Sequence, residues 1–318
     1  MSKVSKLEII LNERAGNGQS TRTWKKVETY LNRTGISYQI HTTKKNGDGV
    51  RIAKYLADNL EDHARIIVLG GDGTLNQSLN GVKQSHNQDT PLGYIPGGSG
   101  NDFSRGIKIK KQNPIILLQK ILAMNEPNTI DIGKANFNDQ TKYFVNNIGI
   151  GLDAFTVYET NHSKRKDLLN KMKLGTLAYV SSLVTVIKNQ DSFPLDVTID
   201  GVTKHFNDAY IVSATNHPYF GGGVAIDPLA TPFDQKLDLV VVHKISGLTF
   251  VKLFTELFAN GSHLKDKNVW HTQVKSYHLT SYAPEHGQMD GEELGKHNFD
   301  IDFHVDRHDF WIPLEMDI

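Results

Sequence analysis

Two glycine-rich stretches carry acids: Gly70-Gly71-Asp72-Gly73-Thr74 and Pro96-Gly97-Gly98-Ser99-Gly100-Asn101-Asp102-Phe103. Each follows an apolar run that reads as a buried strand, Ile66–Leu69 in the first case and Pro91–Ile95 in the second. The first also precedes Leu75, Leu79 and Val82, apolar at helical spacing. A strand that breaks into glycines and resumes as a helix leaves backbone N–H groups aimed at whatever fills the break. Only glycine lets the backbone approach a polyphosphate that closely. Ser99 adds a hydroxyl donor. Asp72 and Asp102 would repel phosphate unless Mg²⁺ or a donor stands between them, so two acidic turns on adjacent strands suit a Mg²⁺–triphosphate. One such turn alone favours phosphate binding only modestly over a purely structural bend. The chain holds no G-x-x-x-x-G-K-[S/T] and no G-x-S-x-G, which leaves a nucleotide site without a Walker lysine.

The elements that must position these turns alternate. Leu7–Leu11 reads as a strand, Thr21–Thr34 as a helix with Trp24, Val27 and Leu31 on one face, and Tyr38–Thr42 as a strand. Val50–Leu60 is a second helix, and Leu75–Val82 follows the third strand. This βαβ order predicts an α/β domain over residues 1–130 with a mainly parallel sheet and ligand loops at the strands' carboxyl ends. Beyond it the texture is β-rich. Strands are expected at Thr129–Ile132, Tyr143–Gly149, Leu195–Ile199, Ala209–Ala214, Leu237–His243, Val274–Leu279 and Phe299–Val305. Helices are expected at Asp167–Lys188 and Leu248–Ala259. That predicts a second domain over 131–318, with the extreme C-terminus free to pack back on the first. Gly149-Ile150-Gly151-Leu152-Asp153-Ala154 fits a loose dinucleotide fingerprint, but it lacks a βαβ setting and reads as a close-packed turn.

Composition narrows the function. Of 318 residues, 38% are hydrophobic and 22% charged, and Lys+Arg and Asp+Glu both number 35. A formal net charge of +0 gives no reason to expect nucleic acid as a partner. Cysteine is absent, so thiol catalysis and thiolate metal sites are excluded. The uncharged, largely apolar stretch Leu174–Ile187 is too short and polar for a membrane span. The expectation is a cytoplasmic protein that meets membrane, if at all, as a peripheral surface contact.

The order and spacing of Gly70–Thr74, Gly98-Ser99-Gly100-Asn101-Asp102-Phe103 and Asn146-Asn147-Ile148-Gly149-Ile150-Gly151-Leu152-Asp153-Ala154 resemble the diacylglycerol kinase catalytic-domain family. The chain is most similar to its bacterial soluble lipid kinases, from Asn12 to Asp290-Gly291-Glu292. The resemblance implies an ATP-dependent kinase acting on a lipid hydroxyl, most simply diacylglycerol. It also implies a nucleotide-binding α/β domain and a β-rich, sandwich-like second domain. Carried over residue by residue, the nucleotide contacts are Asn12, Glu13, Arg14, Ala15 and Gly16. They continue with Thr43 (Thr42 being the alternative), then Gly71, Asp72, Gly73, Thr74, Leu75, Asn76 and Gln77, and finally Ser99 and Asp102. Glu13 stands where the family has proline. From spacing alone Asp290-Gly291-Glu292 is a hairpin turn. The resemblance makes it the catalytic acid cluster, with Glu292 as general base and Asp290 as orienter or metal-side acid, or with the two exchanged. A structural Mg²⁺ is implied at Thr231, Asp234 and Lys236, with Gln235 in place of the usual glycine; an ordinary acidic turn is the other reading. Asp131 is expected in the acid-and-water network near the site.

Two rival functions share parts of the pattern. A NAD kinase would share Gly-Gly-Asp-Gly, and a non-catalytic nucleotide- or lipid-responsive regulator would need no turnover. A homodimer is within the range of the class. Lys164, Arg165, Lys166, Lys171 and Lys173 precede the apolar Leu174–Ile187 stretch and read either as a solvated helix start or as a surface resting on anionic lipid. On the lipid reading, reversing Lys164, Arg165 and Lys166 to Glu weakens co-sedimentation with anionic liposomes. Equal sedimentation by wild type and variant would refute it.

Overall fold

The computed structural model describes residues 4–109, 112–162, 190–259 and 261–314. The helix expected over Asp167–Lys188 and the basic run Lys164–Lys173 lie outside these residues. The chain divides into two compact units. The first comprises Met1–Ile132, Gly221–Gly223 and Asp306–Ile318, and the second Gly133–Phe220 and Val224–Val305.

The first unit is a parallel sheet in the order β2 (Tyr38–Thr42), β1 (Leu7–Leu11), β3 (Arg65–Gly70), β4 (Leu92–Pro96). Every residue of β1 and β3 is buried, as expected of parallel strands covered on both faces. The helices are α1 (Gln19–Thr34), α2 (Asp48–Asp58), α3 (Asp72–Lys83), α4 (Asp102–Gly106) and α5 (Pro114–Ala123). Trp24, Val27 and Leu31 of α1 pack with Leu117, Leu118 and Ile121 of α5 against Leu7, Ile9, Leu11, Ile67 and Leu69. The sheet then gains residues from far downstream. β17 (Asp300–Trp311) leaves the second unit after Val305, and its Phe310 and Trp311 pair in parallel with Leu92 and Gly93. The Trp311 ring lies 3.6 Å from the buried Arg65 guanidinium, which also donates to Met124 O at 2.6 Å and to Ile121 O.

The second unit is antiparallel. Its strand order is β16 (Glu292–His297), β15 (Glu285–Met289), β7 (Asn147–Gly151), β9 (Val202–Thr215), β8 (Phe193–Ile199), β14 (Ser276–Ser281), then β17. β12 (Leu237–His243) pairs with β9 and with β13 (Val269–Val274). The end of β5 (Asn128–Phe137) forms a hairpin with β6 (Gln140–Phe144). α6 (Leu152–His162) follows β7, and α7 (Gly247–Ala259) follows β12. Phe144, Phe193, Phe206, Phe299 and Phe303 anchor its core.

The mainly parallel α/β region and the β-rich region stand as expected, with local departures. The single strand expected over Tyr143–Gly149 is two, β6 and β7. Between them the Asp290 carboxylate accepts the N–H groups of Val145, Asn146 and Asn147 at 2.8–2.9 Å, replacing ladder partners. The expected Val274–Leu279 strand also splits, because β13 pairs with β12 whereas β14 pairs with β8 and β17.

α3 must sit close for Asp72 to be placed, and Gly81 permits it. A Cβ there would lie 2.3 Å from Val50 O and 2.9 Å from Ala53 Cβ on α2. Gly81→Ala forces the two helices apart and is expected to lower stability by about 1–3 kcal/mol, read from urea unfolding.

Candidate active site

Three loops meet backbone to backbone at the carboxyl ends of β1, β3 and β4. Gly16 takes the left-handed region at φ 61°, and a Cβ there would lie 2.6 Å from Gly97 O. A Cβ on Gly98 would lie 2.7 Å from the Gly71 Cα. Side chains at these positions would hold the loops apart, so glycine is required at both by contact, and at Gly16 by φ as well. The Gly97 N–H donates to Gly70 O at 2.7 Å. Asn12 ties the first loop to α3, donating from Nδ2 to Thr74 Oγ1 at 3.0 Å, while its Oδ1 accepts the Arg14 N–H at 3.2 Å. The Ala15 N–H donates to Asn12 O, and Glu13 O accepts from Thr21 Oγ1. Asn12, Gly16, Gly71, Thr74 and the Gly97–Asp102 turn are thus brought together.

Asp72 and Asp102 hold these loops. Asp72 Oδ2 accepts the Asp102 N–H at 2.9 Å, and its Oδ1 accepts the Phe103 N–H at 3.3 Å. Burial first, and then the Asp102 carboxylate, push Asp72 up to about 6. Asp102 is also pushed up by burial, against the pull of the Gly222 N–H and Arg105. It is ion-paired with Arg105, and its Oδ2 accepts the Gly222 N–H at 2.7 Å. A Cβ on Gly100 would lie 3.4 Å from Asp102 Oδ2 and 3.6 Å from Asp72 Oδ2, so both acids border that glycine. Gly221–Gly223, at φ 58°, 90° and 109°, form a contribution to this site that the motif reading missed. The run of three glycines was the available signal.

The remaining nucleotide-side residues divide by what they present. The Leu75 side chain is fully buried and Asn76 nearly so, which leaves Leu75 only its backbone to offer. Gln77 Oε1 accepts the Gly47 and Gly49 N–H groups at 3.2 Å, binding α3 to the loop after β2. Thr43, the first residue past β2, donates its N–H to Leu11 O at 2.9 Å. Gly73 lies in the first turn of α3. Gly16, Gly98, Ser99 and Gly100 border a cavity of about 830 Å³ that Lys26 and Arg105 also line. Asp131 is buried, with Oδ1 3.6 Å from Arg307 Nε.

In the second unit, Asp290 and Gly291 are the two central residues of the β15–β16 hairpin, with Met289 paired to Glu292. Both have positive φ, 49° and 85°, as a two-residue primed turn requires. The turn reading and the acid reading therefore describe the same residues. Asp290 gives both oxygens to three amides, so its carboxylate braces the start of β7. Glu292 opens β16. The stretch expected as a close-packed turn instead runs from β7 straight into α6, and Asp153, in the first turn of α6, is pushed up to about 7 by burial. Its Oδ2 accepts from Gln288 Nε2 at 3.2 Å, and Gln288 Oε1 accepts the Gly291 N–H at 2.9 Å. This chain from Asp153 to the residue before Glu292 was not read from the sequence; the acid set among glycines was its trace. A Cβ on Gly149 would overlap the Asp153 carboxylate.

The model of the diacylglycerol kinase catalytic domain matches residues 6–135, and that of the YegS C-terminal NAD kinase beta sandwich-like domain matches 146–304. The chain belongs to the diacylglycerol kinase catalytic-domain family. It is 32% identical over 296 residues to the "Putative lipid kinase YtlR" of Bacillus subtilis, covering 90% of this chain and 93% of that protein. It is 28% identical over 291 residues to the diacylglycerol kinase of Staphylococcus carnosus, covering 91% and 89%. A solved structure of a diacylglycerol kinase from Bacillus anthracis shares the fold, with TM-score 0.73 at 24% identity over 98% of this chain and 99% of that one. The chain is thus an enzyme of the kinase class. Among its described residues no helix is long and apolar enough to cross a membrane.

In this kinase the Thr231–Lys236 loop folds as a tight turn. Asp234 Oδ1 accepts the Lys236 N–H at 3.1 Å, and Gln235 adopts φ 59°. Gln235 accepts the left-handed conformation that a glycine would take without strain.

Because the folded Asp72 titrates near 6, above the ordinary 3.8, the folded state holds an extra proton between those values. The Asp72 contribution to stability is therefore fullest below about pH 4, falls as pH rises to about 6, and is level above that. The difference in melting temperature between wild type and Asp72→Asn is expected to follow that course. A difference independent of pH would refute it.

Proposed function

We propose that this kinase transfers the γ-phosphoryl group of ATP to a lipid hydroxyl, with diacylglycerol as acceptor and phosphatidic acid as product. The observation that carries this reading is the convergence of three glycine loops around two buried carboxylates in a chain of this family. Both kinds of relative reported above bear the names of lipid or diacylglycerol kinases.

The triphosphate rests on the amides of the Gly70–Thr74 and Gly97–Asp102 turns, where glycine permits close approach and α3 offers its N-terminus. Asp72 and Asp102 fit Mg²⁺, since they are hard oxygen donors that border one small residue and compete for protons. Bound there, the cation would offset charge on the β- and γ-phosphates. Phosphoryl transfer asks mainly for positioning and charge stabilisation, which backbone donors supply without an invariant lysine. A lipid hydroxyl is a weak acid and needs a carboxylate to take its proton as the new O–P bond forms and the bond to ADP breaks. Glu292 takes that role. Asp290, whose oxygens are committed to three amides, fixes the turn that presents it.

The deciding experiment is transfer from labelled ATP to a panel of lipids in mixed micelles, with NAD⁺ as a control acceptor. Diacylglycerol is expected to label and NAD⁺ not; labelling of NAD⁺ alone, or of nothing, would overturn the proposal. Asp72→Ala is expected to abolish turnover. Glu292→Gln is expected to lower kcat by roughly 10²–10⁴-fold while ATP binding changes little. Near-wild-type turnover in either variant removes the role assigned to that residue.

A further inference from the structure

A second cluster lies in the second unit, made of residues to which no role has been assigned above, at the base of the Thr231–Lys236 loop. Asp238 is the second residue of β12 and pairs with Gln273 of β13, while Val240 pairs with His271. Asp238 and His271 therefore stand diagonally on one face of an antiparallel pair, where side chains reach each other. Asp227, from the turn before β12, completes the group. His271 Nε2 lies 2.7 Å from Asp227 Oδ2 and 3.2 Å from Asp238 Oδ1. Asp227 and Asp238 are both 0% exposed.

As an ion pair the cluster is incomplete. One imidazole nitrogen carries at most one hydrogen and cannot direct it at two carboxylates. The contact to Asp227 Oδ2, though short, lacks hydrogen-bond geometry, and that atom has no hydrogen-bond partner. Asp238 Oδ2 and the buried hydroxyl of Tyr277 likewise have none. Asp227 Oδ1, by contrast, accepts the Leu229 N–H at 3.0 Å, so the turn at Asp227 is anchored with its other oxygen turned into the cluster. Buried carboxylate oxygens without partners are uncommon, and each costs free energy. Two fully buried carboxylates beside one imidazole also leave net negative charge, even when the imidazole is protonated.

We propose that Asp227, Asp238 and His271 form a site for a divalent transition-metal cation of the Zn²⁺ type. One imidazole nitrogen and two carboxylate oxygens are donors that such ions accept, whereas Mg²⁺ and Ca²⁺ prefer oxygen alone. All three donor atoms lie within 4.8 Å of one another. Zn²⁺ at about 2.0–2.1 Å from each would set them about 3.3 Å apart. The 3.2 Å pair already fits, and the 2.7 Å pair must open by about 0.6 Å. A cation replaces the proton on Nε2, so one ion serves all three donors and cancels the charge of both acids. It also staples the Asp227 turn to the β12–β13 pair, across the base of the Thr231–Lys236 loop.

The test uses full-length protein stripped with EDTA, then given Zn²⁺, Co²⁺ or Mg²⁺ separately. Zn²⁺ is expected to bind at about one ion per chain and to raise the melting temperature by about 5 °C or more at saturation. Mg²⁺ at equal concentration is expected to do neither at this site. Co²⁺ is expected to give visible absorption that His271→Gln and Asp238→Asn remove and Asp234→Asn retains. Should those variants fail to fold, ¹H–¹⁵N spectra of the wild-type imidazoles decide. Loss of the Nε2 proton on adding Zn²⁺ supports the site. A His271 that keeps that proton, or Zn²⁺ uptake unchanged in His271→Gln, shows an ion pair only and overturns the proposal.

Discussion

A carboxylate withdrawn from water must find donors, and Asp72 finds them in the loop of the neighbouring strand. Its two oxygens take the N–H groups of Asp102 and Phe103, the first residues of α4. That one arrangement joins the loop after β3 to the loop after β4. The glycines at 16, 71 and 98 are then constrained to their positions, because the loops so joined touch along their main chains. Asp102 in turn draws in Gly222 from the distant triple-glycine segment. The loops are thus held by two buried carboxylates, Asp72 and Asp102.

The second unit repeats the device with a different result. Asp290 sits at a turn position that demands positive φ, and its side chain gathers three amides where β6 should have run on into β7. A strand is interrupted so that a hairpin tip is fixed. The tip is also held from the other side, through Gln288 to the buried acid Asp153. Glu292 therefore leaves a turn braced at both ends.

Much of this was legible in the sequence, and the gaps have physical causes. The strands β1 to β4 are short, apolar and separated by helices with clear faces, so their existence and order follow from period alone. Asp72 and Asp102 stand out because acids are out of place in phosphate-type glycine turns. What local pattern could not carry was contact between remote positions. Nothing near Gly221–Gly223 says that it will meet Asp102, and nothing near Tyr143–Gly149 says that Asp290 will divide the strand. Asp227 and His271 look ordinary until the β12–β13 register sets His271 beside Asp238 and the turn before β12 brings in Asp227. The helix at Asp48–Asp58 begins before its apolar face does, at an Asp48 whose carboxylate accepts the Lys44 and Lys45 N–H groups and so fixes the loop that leads into it.

The short pairing of Phe310 and Trp311 with β4 bears on how the protein is made. During synthesis the first unit emerges with β4 lacking its outer neighbour, and the Trp311 ring that will cover Arg65 does not yet exist. An open edge of that kind invites strand addition by other chains. On the ribosome, then, the first unit cannot seal its border until the whole β-rich half has been translated. Premature release at any point in that interval would leave a sticky intermediate for chaperones or proteases to clear.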